Sequence, residues 1–292
     1  MFESYRNVDV NDDPIIIPAC GHILTVSSMD GLVQLADHYE LDLAGVPIAL
    51  KSPELTLDSK HTQLRCPTCR KSLRHLERYG RMSRRGLLIE TTLKFITSTN
   101  QEYREFFDRL MREAQRLDST IDEAQWGSGD LVLGDTNTMN FTKLRELSVG
   151  DNGRYKEMTK LHAQLCTFVS KLHVREQPFQ RVKELVEIAR LRNQTQGEFT
   201  FDPAIVLQTR AHTLAWALLR RCELVLFSDL LKLRQENSPQ GIETAVDFAA
   251  SRADCRLLGA QALQGNHIQQ QAEALLFEAR FAALELAFKS EQ

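Results

Sequence analysis

The feature that most limits what this chain can fold into is a pair of short stretches, Cys20-Gly21-His22 and Cys66-Pro67-Thr68-Cys69. Three thiols and one imidazole match the donor set of a closed tetrahedral zinc site, and Cys-x-x-Cys is the commonest way for a tight turn to offer two sulfurs to one metal. Either half alone has an ordinary explanation, a redox pair or a packed turn. Together, with no other His or Cys pair at comparable spacing nearby, they predict one structural zinc ion held by Cys20, His22, Cys66 and Cys69.

The sequence around these ligands reads as their frame. Asp9 to Asp13 is acidic and turn-prone, and the run Ile15-Ile16-Ile17 after Pro14 predicts a short strand that delivers Cys20. Ile23 to Val26 predicts a second strand, with Gly21 permitting the tight connection. Ser28 is placed to cap a helix whose apolar face is Leu32, Val33, Leu35, Ala36 and Tyr39. Ala44 to Asp58, with Pro47 and Pro53, reads as an irregular insertion before the second ligand pair.

The order Cys-x-His, helix, Cys-Pro-x-Cys-Arg resembles the second half of a RING finger, a cross-braced fold of eight ligands and two zincs. The first-site positions are not filled here: Val8 to Asp12 holds no Cys pair, and Ser27 and Ser28 stand where a further Cys falls in that family. The resemblance therefore implies one zinc, as in the SP-RING variant of SUMO ligases, with 43 residues inserted between His22 and Cys66. The segments Asp12-Asp13-Pro14, Pro18 to His22, Met29-Asp30-Gly31, Cys66 to Arg70, Arg78 to Arg81 and Lys94-Phe95-Ile96 also resemble the region after the finger array in fungal helicases of the X-box-binding (NF-X) zinc-finger type. That likeness covers residues 7 to 97 and implies a setting in RNA silencing or antiviral defence. It does not bring an ATPase with it, because the chain has neither a phosphate-cradling Gly-x-x-x-x-Gly-Lys-Ser/Thr loop nor the repeated fingers. The expectation is a C-terminal piece or a truncated paralogue of such a helicase. In RING ligases the residues matching Pro67 and Arg70 contact the conjugating enzyme and ubiquitin, so these two carry the alternative of a ubiquitin or SUMO ligase.

The 292 residues allow two domains, and 42% hydrophobic with 26% charged residues at a net charge of −3 describes an ordinary globular chain with no partner implied by bulk charge. No apolar run approaches a membrane span and Met1 to Val10 lacks a signal-peptide pattern, so a nuclear or cytoplasmic location is expected, without secretion. Cys166, Cys222 and Cys255 are read as packed small hydrophobes rather than a disulfide framework. Charge is concentrated in one place: residues 65 to 85 hold eight basic side chains against Glu77 alone. Arg74, Arg78, Arg81, Arg84 and Arg85, with Tyr79 to stack on a base, form a candidate RNA-binding set, against the plainer reading of a solvated basic face.

Beyond residue 90 the pattern is helical. Tyr103, Phe106, Phe107, Leu110, Ala114, Leu117 and Ile121 recur at the 3.6-residue period from Thr99 to Ala124. A Gly-rich loop is expected over about 126–141, then helices over Leu144 to His173, Pro178 to Leu191, Ala204 to Leu233 after the Asp202-Pro203 start signal, Gly241 to Leu263 after Ser238-Pro239, and a last one through Phe288. Ala204 to Leu233 is apolar on nearly every face and predicts the central helix of a bundle, and the last two helices predict an antiparallel hairpin. His162, His173, His212 and His267 are read as packed or surface residues. Cys166 lies one turn from His162, but no third orienting group can be named, so a thiol hydrolase is not supported. The expected architecture is mainly α: a small α+β single-zinc RING-like domain over 1–90, then an all-helical domain over 91–292. Its expected function is a non-enzymatic interaction module with a protein partner or RNA; a ubiquitin-conjugating enzyme is the partner of the alternative.

Overall fold

The computed structural model describes residues 8–50, 65–73, 76–122, 131–133, 153–173, 209–237, 244–246 and 248–290, together with isolated positions between 177 and 192. Its contacts divide the chain into two units, Met1–Phe95 and Ile96–Gln292. The fold is mainly α, with a small α+β N-terminal unit.

In the first unit, β1 (Ile15–Ile16) and β2 (Leu24–Thr25) form the expected antiparallel hairpin, with Ile15 opposite Thr25 and Ile16 opposite Leu24. Helix α1 (Val26–Leu32) starts earlier than Ser28: the N-cap is Thr25, whose Oγ1 accepts the Ser28 amide at 3.3 Å. Asp13 fixes the same corner by accepting the Ser27 amide at 2.9 Å and the Ser27 hydroxyl, and these bonds hold its carboxyl below the ordinary value. The single helix expected beyond Ser28 is broken at Gln34, which is left-handed at φ 51°, and α2 (Leu35–His38) is one short turn. Tyr39 belongs to β3 (Tyr39–Leu41), which pairs antiparallel with β4 (Pro47–Leu50), so the expected irregular insertion is in part a hairpin. Asp42 nucleates its turn by accepting the amides of Ala44 at 2.9 Å and Val46 at 2.8 Å, with Gly45 supplying φ 75°. The core of this unit is Met29, Val33, Leu35, Cys66, Leu73, Tyr79 and Met82.

Helix α3 (Gly80–Ser119) begins well before Thr99 and stops short of Ala124, and the division between the units falls within it. In the second unit, α3 lies against α4 (Lys156–Lys171), with Lys171 on Glu102 at 2.6 Å, Phe106 against Phe168 at 5.1 Å between centroids, and Arg109 donating to Gln164 at 2.8 Å. This pairing makes the two antiparallel. Helix α5 (Thr209–Asn237) is the central helix: Leu218, Leu219, Cys222, Leu224, Leu226, Phe227, Leu230 and Leu233 are all buried, so it is covered on several sides. Helices α6 (Ala249–Gln264) and α7 (Ile268–Ser290) form the expected antiparallel hairpin, since Arg252 pairs with Glu285, Arg256 with Glu278, and Gly259 faces Ala274. Their turn closes with the His267 amide on the Ala262 carbonyl at 2.7 Å and Asn266 left-handed at φ 54°.

Two expectations fail here. Leu131–Leu133, inside the expected loop, is strand β5, and Thr244–Val246, inside an expected helix, is strand β6, paired with it in parallel. Leu-Val-Leu and Thr-Ala-Val are β-formers whose pairing is set by a partner more than a hundred residues away, which local periodicity does not register. The start signals Asp202-Pro203 and Ser238-Pro239, and Pro178, lie outside the described residues.

A buried ion pair ties the helices together. Arg154 meets Asp229 of α5 in two bonds, Nε to Oδ2 at 2.9 Å and Nη2 to Oδ1 at 2.7 Å, with both side chains almost wholly buried. Tyr155 donates to the same Asp229 Oδ2 at 2.8 Å, and burial with that carboxylate raises the phenol pKa well above its ordinary value. Arg154 also donates to the carbonyls of Leu117 and Thr120, which the end of α3 leaves without helical partners. One guanidinium thus neutralises a buried carboxylate and caps a helix. Replacing Asp229 by Ala strands that charge, so urea unfolding followed by far-UV circular dichroism should show a loss of about 3–5 kcal/mol.

Candidate metal centre and neighbouring charged sites

Cys20 and His22 lie in the connection between β1 and β2, and Cys66 and Cys69 in a turn closed by the bridge between Arg65 and Ser72. In the first connection the Gly21 amide donates to the Pro18 carbonyl at 2.8 Å and Gly21 takes φ 79°, which lets the chain reverse between two ligands. In the second, the Arg70 amide donates to the Cys66 carbonyl and the Cys66 amide to the Lys71 carbonyl, both at 2.8 Å, and Arg70 is left-handed at φ 60°. These two turns bring the donors Cys20 Sγ, Cys66 Sγ, Cys69 Sγ and an imidazole nitrogen of His22 within 4.8 Å of one another. Two sulfurs on a tetrahedral zinc are about 3.8 Å apart, so small side-chain rotations close the remaining gap.

Two features fit a metal. His22 Nδ1 is buried without a hydrogen-bond partner, an arrangement that costs free energy unless something accepts its lone pair. The turn also aims amides at sulfur: those of Cys69 and Thr68 favour the thiolate of Cys66 and outweigh its burial, bringing its pKa down to about 7. At Cys69 the Lys71 amide acts the same way, but burial and the neighbouring Cys66 and Cys20 outweigh it and raise the pKa. Three sulfurs crowded with no cation cannot all ionise, which is the condition a bound divalent ion relieves. The group can hold one metal ion.

The other site residues fall out differently. Pro67 and Arg70 are exposed on the outside of the Cys turn. Tyr79 is fully buried in the core and donates to Asp30 Oδ1 at 2.7 Å, so its ring does not stack on a base. Arg78 is held on the same Asp30, Nε to Oδ1 at 3.2 Å and Nη2 to Oδ2 at 2.7 Å. Arg81, Arg84 and Arg85 lie on α3 with their side chains outside the described part, and Arg74 lies outside the described residues altogether. Asp30, missed at first, sits in the Met29-Asp30-Gly31 segment; its carboxylate ties α1 to the turn before α3.

In the helical unit a second titratable cluster extends the Cys166–His162 pair. His162 of α4 has Nε2 at 2.9 Å from Glu223 Oε1 of α5, and Glu223 Oε2 and Asp254 Oδ2 each lie 3.0 Å from Arg220 Nη1. The third partner that Cys166 and His162 seemed to lack is Glu223, which no local pattern marks because it is one helix away. Among the described residues no helix is long and apolar enough to cross a membrane. No protein-family model, curated protein or solved structure matches this chain.

Two outcomes follow from these geometries. Alanine at Gly21 would meet nothing within 4 Å, so its cost is backbone strain alone, about 1–2 kcal/mol, read as a lower unfolding midpoint of the N-terminal unit with metal present. At His162 burial opposes the charge, but Cys166 and Glu223 outweigh it and push the pKa up to about 9. A group raised on folding stabilises fully below its unfolded value near 6.5 and loses that contribution as pH rises through about 9. Helical-unit stability should therefore fall on the order of 2 kcal/mol between pH 6.5 and 9.5, and the fall should be largely absent in His162→Gln.

Proposed function

We propose that the N-terminal unit is a zinc-stabilised interaction module that presents one face of a helical protein to a partner protein. The observation that carries this reading is the convergence of Cys20, His22, Cys66 and Cys69 from two turns, with His22 Nδ1 otherwise unpartnered. Zinc is the ion of choice because three thiolates and an imidazole form a soft, closed donor set that leaves no open position for substrate. When bound, the ion supplies a cross-link between distant turns and no chemistry. A protein partner is preferred to RNA because Tyr79 is buried and Arg78 is occupied by Asp30, while Ile17, Leu43, Val46 and Ile48 are exposed apolar side chains on the same unit. The setting we propose is the one the ligand-flanking segments resemble, a factor related to NF-X-type helicases in RNA silencing or defence.

The second reading, a ubiquitin or SUMO ligase, rests on Pro67 and Arg70 being exposed beside the metal turn. Chelation with a strong zinc ligand tests the main reading: amide signals from the N-terminal unit should collapse by NMR while far-UV circular dichroism keeps the helical signal, because a structural zinc supplies roughly 10 kcal/mol. Unchanged N-terminal signals would sink it. Autoubiquitination across a panel of conjugating enzymes, abolished by Arg70→Ala, would instead replace it with the ligase reading.

A further inference from the structure

We propose that Cys166, His162 and Glu223 form a reactive-thiol site in which the Cys166 sulfur is oxidised by peroxides. Cys166 and His162 are successive-turn neighbours on α4, and Glu223 reaches them from α5. The sulfur lies 3.7 Å from His162 Nδ1 and 4.0 Å from Nε2. Near-equal distances to both nitrogens place it beside the ring rather than in line with one lone pair. An in-line base of the hydrolase kind is therefore not what this geometry offers. What it offers is a cation: Glu223 holds the far nitrogen at 2.9 Å and favours the imidazolium, whose charge then sits against the sulfur.

Glu223 on α5 holds the imidazole through one carboxylate oxygen, and its second oxygen lies 3.0 Å from Arg220 Nη1, also on α5; Asp254 Oδ2 on α6 lies 3.0 Å from the same nitrogen. From α5 Cys222 also faces this region, but burial pushes its thiol well above the ordinary value, so it stays neutral. The three cysteines of the helical unit thus differ in kind. Cys222 and Cys255 are buried, with burial raising the Cys255 thiol to about 12, whereas Cys166 is partly exposed. Reactive cysteines occupy such partly exposed, electropositive places, and buried ones are inert.

The reaction balances with peroxide as the oxidant. The Cys166 thiolate attacks one peroxide oxygen, an S–O bond forms as the O–O bond breaks, and the departing hydroxide takes the proton of the His162 imidazolium to leave as water. The sulfur is oxidised by two electrons to a sulfenic acid and the peroxide is reduced by two.

The test uses the full zinc-loaded chain and resolves each cysteine by peptide mass spectrometry. The rate of Cys166 alkylation by iodoacetamide is measured at pH 7 in the unaltered protein, then sulfenic acid is trapped after treatment with hydrogen peroxide. We expect Cys166 to be alkylated at pH 7 at least about tenfold faster than a free cysteine thiol, and trapped sulfenic acid on Cys166 ahead of Cys222 and Cys255. A rate no greater than that of the free thiol, or no trapped product on Cys166, overturns the proposal. His162→Gln should slow alkylation at pH 7 roughly tenfold. A folded His162→Gln chain that alkylates as fast as the parent also overturns it, and if that variant does not fold, the alkylation rate and sulfenic acid trapping of the unaltered chain decide alone.

Discussion

Everything in the N-terminal unit depends on four side chains from two separated turns meeting at one point. Among the described residues its buried apolar side chains are Met29, Val33, Leu35, Cys66, Leu73, Tyr79, Met82 and Ile89. Small domains with limited cores are commonly held by metals or disulfides. Cys66 belongs to both the core and the metal site, with only 1% of its surface exposed. A metal held by Cys66 at one end and packing of Leu73 and Tyr79 at the other would fix the same turn. Asp30 completes the arrangement by holding Arg78 and Tyr79 from the side of α1.

The helical unit solves its own closure differently. Its apolar core is large enough to stand without metal, and its polar interior is spent on geometry. Arg154 and Asp229 satisfy each other and the frayed end of α3. His162, Glu223, Arg220 and Asp254 form a second chain of charges across three helices. In the first network the guanidinium bonds end on protein acceptors, the Asp229 carboxylate, the Thr120 hydroxyl and the carbonyls of Leu117 and Thr120. The second ends at a partly exposed sulfur, which makes it the place where the bundle's internal charge meets an outside reagent.

What could be read from residues alone followed from how far each interaction reaches along the chain. The β1–β2 hairpin, α4, α5 and the α6–α7 hairpin are legible because apolar period and turn chemistry are local signals. The four metal donors are legible because Cys-x-x-Cys and Cys-x-His are unusual enough to stand out. The β5–β6 pair was invisible because its two strands meet across more than a hundred residues, and each is only three residues long. The partners of charged residues were hidden for the same reason. Nothing near Tyr79 reveals that Asp30 will bury its hydroxyl, and nothing near His162 reveals Glu223. Basic clustering around Arg78 was genuine, yet Arg78 itself is held by a carboxylate 48 residues upstream.

The most direct test of the account is the metal itself. Metal content of the purified full chain, combined with X-ray absorption at the zinc edge, should give one zinc per chain coordinated by three sulfurs and one nitrogen, falling to none when Cys66 is replaced by Ser. A chain that folds its N-terminal unit with no bound metal, or with Cys66 and Cys69 joined in a disulfide, would contradict it.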